Sequence, residues 1–267
     1  MFMDWVEEGK WNRHHPPKCM GQGYMTAMYA NALDYAAMIF DIIEDHGTAD
    51  KFRVWSKTTK EAVHSQLWDE HKNMYIDGLY DQNAVFSTRW LPADTPEKYY
   101  SQHMNTLAVL YDIAPKEIQK DLMRTVMEDQ SLSQAQPYFM HFIFQALSKT
   151  GLFQEYGYSQ LKRWEKLIDE NDSGLKEVWY GFDCDYSHAW GGTPTFQLPA
   201  GILGVVPIKP GFKEVRFQPC LPQQITWAKG VIPTPNGQIT VHVERKDGRT
   251  KAEIKYEGKE KIVIYRE

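Results

Sequence analysis

A chain of 267 residues is long enough for one large domain or two modest ones, each with its own core. The formal charge of −5 and the lack of any basic run of five or more argue against a nucleic-acid partner. No apolar stretch approaches the ~20 residues that span a bilayer, so no membrane partner is expected either. Hydrophobic residues make up 42% and charged residues 24%, the balance of a soluble globular protein, cytoplasmic or periplasmic. Cys19, Cys184 and Cys220 are odd in number and widely spaced, which fits neither a disulfide framework nor a zinc site. The opening Met1-Phe2-Met3-Asp4-Trp5 lacks the basic and apolar regions of a signal peptide. The segment through Pro17 reads as a loop joined to something upstream.

From about 21 to 203 the pattern is helical. Tyr24, Met28, Leu33, Ala36, Ala37, Phe40 and Ile43 recur at helical spacing, with Gly47 closing that helix. A second helix is predicted over 49–68, with Phe52, Trp55, Val63 and Leu67 inward and Thr48 as N-cap. The stretch 69–100, with Gly78, Pro92 and Pro96, reads as a loop bearing short extended pieces. Helices resume over 101–111, 116–129, 137–150 and 155–170, and a last one covers 195–203. Paired helices with long loops at one end predict a partial α/α toroid, and such loops are usually functional. After Pro207 the runs 215–217, 225–231, 238–244, 251–256 and 261–265 alternate or carry β-branched residues. Asn236-Gly237 and Asp247-Gly248 mark hairpins between them. The chain is therefore mainly α with a β C-terminal domain, a partial toroid over 1–206 and an antiparallel meander of about five strands over 207–267.

The stretch from Ser173 to Gly192 concentrates chemistry. It holds Glu177, Asp183, Asp185, His188, Trp179 and Trp190 in a glycine-bounded loop between helices. Hydrolysis of a glycosidic bond needs two carboxyl groups across the bond, and in an inverting enzyme one of them activates water. Aromatic rings stack on sugar faces and exclude solvent, and the chain is rich in them, with 9 Trp and 15 Tyr. The same loop could also be a polar connection with Trp anchors holding helices together. His14, His15 and Cys19 lack a second ligand pair, so no metal is expected, and no phosphate loop or serine elbow suggests a cofactor or a serine nucleophile. His103 opens a helix beside Ser101 and Gln102, either lining a site or serving as a partner at the helix start.

Glu177-Val-Trp-Tyr followed by Ser187-His-Ala-Trp-Gly-Gly, then Ile202-Leu-Gly-Val-Val-Pro-Ile-Lys-Pro-Gly-Phe, resembles the end of the catalytic barrel in glycoside hydrolase family 78. Gln66-Leu-Trp-Asp-Glu-His-Lys-Asn-Met-Tyr, Ser101-Gln-His-Met-Asn-Thr-Leu-Ala-Val-Leu and Gln136-Pro-Tyr-Phe-Met-His-Phe-Ile-Phe-Gln-Ala-Leu resemble further family segments in the right order. The resemblance implies an (α/α)6 barrel with a C-terminal β-sandwich, and inverting hydrolysis of terminal α-L-rhamnosides. It implies Glu177 as general base and Trp179 as its nearby aromatic; His188 and Trp190 of the same loop are expected to contact substrate beside Trp179. Gly174-Leu175-Lys176 departs from the family pattern, adding a charge just before the glutamate. The family's general acid lies in the first half of the barrel, and only six or seven of twelve toroid helices are read here. The expected partners are a rhamnoside and either the missing barrel half or a second copy. A non-catalytic carbohydrate-binding or interaction protein derived from such an enzyme is the alternative, and an unrelated α/α-toroid sugar enzyme is a third reading.

Overall fold

The computed structural model describes residues 4–8, 11–15, 21–83, 96–168, 174–179 and 188–266. The expectations for Cys19, Cys184, Asp183, Asp185 and Pro92 fall outside these residues. Two compact units are present, Met1–Thr150 with Val178–Cys184 and Gly151–Glu177 with Asp185–Glu267. Among the described residues no helix is long and apolar enough to cross a membrane.

The first unit is helical with short strands. Strand β1 (Asp4–Glu8) pairs antiparallel with β2 (Trp11–His15), Glu8 opposite Trp11. This corrects the loop expected there: Gly9-Lys10 between the two runs has the Gly-X spacing of a two-residue hairpin. Strand β3 (Gly21–Gln22) leads into α1 (Gly23–Ile42), which buries Tyr24, Ala27, Ala30, Leu33 and Ala37, mostly small side chains that let α2 (His46–Leu67) approach closely. The turn between them differs from expectation. Glu44 takes the left-handed backbone (φ 64°), and Asp45, not Thr48, caps α2 by accepting from the Thr48 amide at 3.1 Å. A carboxylate is the stronger acceptor at a helix N-terminus, so Gly47 falls inside the first turn of α2 instead of closing α1. Lys60 bridges the hairpin to Asp34 at 2.6 Å, and Arg53 pairs with Asp41.

Beyond α2, strand β4 (Trp68–Asp69) pairs with β5 (Met74–Tyr75), and β6 (Gly78–Leu79) pairs with β3. Helix α3 (Gln102–Leu110) is the centre of the unit: residues 102–109 are all buried, and it packs on α1, α4 (Lys116–Glu128) and α5 (Met140–Lys149). Ser101 caps α3, accepting from the Met104 amide at 3.1 Å. Helix α5 begins three residues later than expected, because the chain from Gln136 to Phe139 is occupied by a turn closed by the Phe139 amide on the Gln136 carbonyl.

The second unit opens with a π-helical turn (Phe153–Gly157), α6 (Tyr158–Leu161), a 3-10 turn (Lys162–Trp164) and α7 (Glu165–Ile168), which follow one another without a break through the described part of the helix expected over 155–170. A second 3-10 turn (Ala189–Gly192) leads into α8 (Pro194–Gln197) and a π-helical turn (Leu198–Ile202), which run on without a break where a helix is expected over 195–203. Six strands follow: β7 (Val205–Pro207), β8 (Glu214–Phe217), β9 (Trp227–Thr234), β10 (Gly237–Lys246), β11 (Arg249–Gly258) and β12 (Val263–Arg266). Strands β9, β10 and β11 form an antiparallel meander that buries Ile232, Ile239, Val241 and Val243. Asp247 and Gly248 both have positive φ (50° and 72°), the I′ geometry that Asp-Gly favours. The second sheet corrects the all-antiparallel expectation, because β12 runs parallel to β8 while β7 is antiparallel to it. Strand β12 reaches β8 only after the whole meander, and so long a crossover permits parallel pairing. Gly204 (φ 71°) enters β7 so close to Gln218 that a Cβ would lie 2.2 Å from its backbone carbonyl.

Candidate functional site

In the second unit two short segments are laid side by side. The His188 amide donates to the Leu175 carbonyl at 2.7 Å, and the Trp164 indole N–H donates to the Gly191 carbonyl at 2.8 Å. The first bond aligns residues 174–177 with 188–192, and the second fixes that turn to the helical turn at Lys162–Trp164. Glu177 Oε1 consequently lies 3.8 Å from His188 Nε2, with the glutamate side chain largely buried. The Trp190 indole meets the His188 ring edge-on, centroids 4.7 Å apart, and keeps 38% of its surface exposed. A carboxylate beside an imidazole and an exposed indole can orient a water and offer a stacking face to a sugar. Of the four residues expected to act together, Glu177, His188 and Trp190 are thus brought together within one unit.

Trp179 belongs to the first unit. Its amide donates to Gln136 Oε1 at 3.0 Å and its indole N–H donates to the Ala135 carbonyl at 2.8 Å, so its polar handle is engaged by backbone. The residue that organises this region went unseen in the sequence. Asp4 Oδ2 accepts from His103 Nε2 at 2.8 Å and from the Gln136 amide at 2.9 Å, with Asp4 and His103 both buried. His103 packs on Phe139 at 4.3 Å and is an interior partner at the start of α3. Its neighbours Gln102 and Asn105 do the same work: Gln102 accepts from the Ala135 amide, and Asn105 exchanges bonds with the Tyr75 backbone. Asp4 and Gln136 are 132 residues apart, and no local motif links them. The one signal available was the density of amides and imidazole in Ser101–Asn105, polar groups that a buried helix tolerates only when each has a partner.

Two further carboxylates shape the loops after α2. The Lys98 ammonium and the Tyr100 hydroxyl, each 2.7 Å from Asp69 Oδ2, hold that carboxyl well below the usual range. Tyr100 is in turn pushed up to about 12 by burial and by Asp69. Asp77, fully buried, is pushed up to about 6 by desolvation, against the opposing hydrogen bond from the Ser101 hydroxyl at 2.5 Å. A carboxyl whose folded-state value exceeds its unfolded one stabilises the fold in its protonated form, and that contribution is lost as pH rises through about 6. Stability attributable to Asp77 is therefore expected to rise by on the order of 1 kcal/mol between pH 7 and pH 5. Urea denaturation of wild type and Asp77→Asn at both pH values checks this; an equal pH slope in the two proteins refutes it.

Residues 204–256 match the family model described as the bacterial alpha-L-rhamnosidase C-terminal domain. An alpha-L-rhamnosidase of Alteromonas sp. (strain LOR) is 27% identical over 205 residues, 72% of this chain and 21% of that protein. The crystal structure of a GH78 family rhamnosidase of Bacillus sp. GL1 superposes with a TM-score of 0.78 at 22% identity, covering 99% of this chain and 27% of that one. Residues 204–256 thus match an alpha-L-rhamnosidase C-terminal domain, and the chain shares its fold with part of a GH78 family rhamnosidase. The alpha-L-rhamnosidase of Dictyoglumus thermophilum gives a TM-score of 0.70 at 16% identity over 92% of this chain and 27% of that one. The chain thus spans about a quarter of the length of these relatives. The family model falls on the strands from Gly204 through β11, whereas the 205-residue match is too long for the strands alone and takes in helical sequence as well.

Proposed function

We propose that the chain contributes the general-base side of an inverting glycosidase acting on terminal α-L-rhamnosides, with Glu177 as the base. Supporting this most directly is the cluster of Glu177, His188 and Trp190, a largely buried carboxylate 3.8 Å from an imidazole that is backed by an exposed indole. The kinship with rhamnosidases supplies the substrate class. Glu177 takes a proton from water as the water oxygen bonds to the anomeric carbon; the glycosidic C–O bond breaks, and an acid protonates the leaving oxygen. In this reading that acid comes from a region that the longer relatives possess and this chain does not span. His188 and Trp190 hold the sugar. The helices are half of an (α/α)6 toroid over residues 1–206, followed by a β-sandwich over 207–267, and the chain works with the remaining half of such a barrel or with a second copy.

The test is release of L-rhamnose from an aryl α-L-rhamnoside, with the product anomer read by NMR immediately after mixing. This chain alone is expected to show no appreciable turnover. A polypeptide that joins it to the rest of a family barrel is expected to release β-L-rhamnose, because the two carboxyl groups stand roughly 6.5–9.5 Å apart and admit a water. An α-configured first product sinks the inverting mechanism, and turnover by the chain alone shows that its own residues supply the acid.

A further inference from the structure

Glu177 stands midway in a five-residue stretch that is tied at both ends. At one end the Leu175 carbonyl accepts from the His188 amide at 2.7 Å. At the other, Trp179 bonds to two adjacent residues, its amide to Gln136 Oε1 at 3.0 Å and its indole N–H to the Ala135 carbonyl at 2.8 Å. The segment that receives Trp179 is itself bonded at Ser133, Ala135 and Gln136. The Ser133 carbonyl accepts from the Gln102 amide at 3.0 Å, and the Ala135 amide donates to Gln102 Oε1 at 2.9 Å. The Gln136 amide donates to Asp4 Oδ2 at 2.9 Å, and its carbonyl closes the turn that opens α5. Gln136 is 1% exposed, so its side-chain oxygen accepts where water does not compete.

We infer that Gln136 is a positioning residue for the general base: through the Trp179 amide it fixes the backbone that carries Glu177, and Trp179 is the anchor of that stretch. The inference rests on the reading of Glu177 as the base. A base must meet its water within hydrogen-bond reach, and an error of about 1 Å in its place can cost on the order of 10²-fold in rate. Residues 174–179 belong to neither helix nor strand, so no ladder of backbone bonds holds the glutamate in place. The ties at Leu175 and Trp179 supply that fixity instead, and freedom removed on folding need not be removed again at each turnover. The two bonds of Trp179 divide the task. The indole bond to Ala135 orients the ring, whereas the amide bond to Gln136 holds the main chain two residues from the carboxylate. Of the two acceptors only the Gln136 oxygen belongs to a side chain, so a substitution can remove it and leave the main chain intact.

Residue-resolved hydrogen exchange on the 267-residue chain is the first test. Gln136→Leu is expected to speed exchange of the Trp179 amide by about tenfold or more. Gln136→Glu keeps an acceptor oxygen and should return it toward wild type. The Ala135 amide, bonded to Gln102, should keep its protection in both and so report that the first unit is folded. Should Gln136→Leu not fold, Trp179→Phe drops only the bond to the Ala135 carbonyl and is expected to speed exchange at position 179 by about fivefold. The second test uses a polypeptide that joins the chain to the rest of a family barrel. There Gln136→Leu is expected to lower kcat per folded molecule on the order of 10²-fold with KM within about twofold, and Gln136→Glu to recover most of it. A merely structural role would reduce the folded fraction and leave kcat per folded molecule unchanged. Unchanged exchange at Trp179, a loss confined to KM, or a full kcat in Gln136→Leu where Glu177→Gln is slow would each overturn the positioning role and leave the base standing. Glu177→Gln of undiminished rate removes the base and this inference with it, whatever the exchange shows, so the two failures are distinguishable.

Discussion

Glu177→Gln is expected to lower kcat by on the order of 10²–10⁴-fold in any form of the protein that releases rhamnose. The amide keeps the shape of the carboxylate and its capacity to accept a hydrogen bond, but it cannot take the proton that water must lose as the new C–O bond forms. Ground-state contacts are retained, so KM should change little and the loss should appear almost wholly in kcat. His188→Ala serves as the contrast. It leaves the carboxylate in place but removes the imidazole 3.8 Å away and the edge against which Trp190 rests, so KM should rise along with a smaller fall in kcat. Steady-state kinetics on an aryl α-L-rhamnoside separate the two patterns. A Glu177→Gln protein of undiminished rate assigns this glutamate another role, and equal KM effects from both variants reduce the cluster to a structural contact.

Asp4→Ala is expected to destabilise the first unit by about 2–5 kcal/mol, a large share of the 5–15 kcal/mol that holds a domain folded. One oxygen of Asp4 accepts from two buried donors, His103 Nε2 and the Gln136 amide, and alanine leaves both without that acceptor where water does not reach. The other ring nitrogen of His103 lacks a hydrogen-bond partner among the described residues, so none of them offers the imidazole a substitute. Asp4→Asn retains a carbonyl oxygen and should recover part of the loss. Urea denaturation gives the comparison, provided that the slope with denaturant is conserved. A change below ~0.5 kcal/mol in the alanine variant would show that β1 is not tied to α3 through this carboxylate. Because Gln136 also accepts from the Trp179 amide, the same variant should alter the emission of Trp179.

Much of this organisation is written locally in the chain. Whether a segment is helix or strand follows from the period of its apolar residues, and the hairpin at Asp247-Gly248 from two positive φ angles that this dipeptide tolerates. Glu177, His188 and Trp190 lie within fourteen consecutive residues, and one backbone bond between His188 and Leu175 suffices to assemble them. The cap of α2 was misplaced by three residues because Asp45 and Thr48 are both good capping residues, and only the backbone turn at Glu44 decides between them.

What the tertiary structure alone decides are the pairings that close long loops. The joining of Asp4 to Gln136, the placement of Trp179 in a different unit from Glu177, and the parallel run of β12 beside β8 all depend on where distant segments meet. A hydrogen-bonding side chain carries no record of which remote partner will satisfy it, since any buried donor or acceptor would serve. Helix α1 shows the same limit from the other side. The sequence establishes that the helix is apolar on nearly every face, because periodicity is a local property, but which of those faces is left without a neighbour is settled by which helices pack against it.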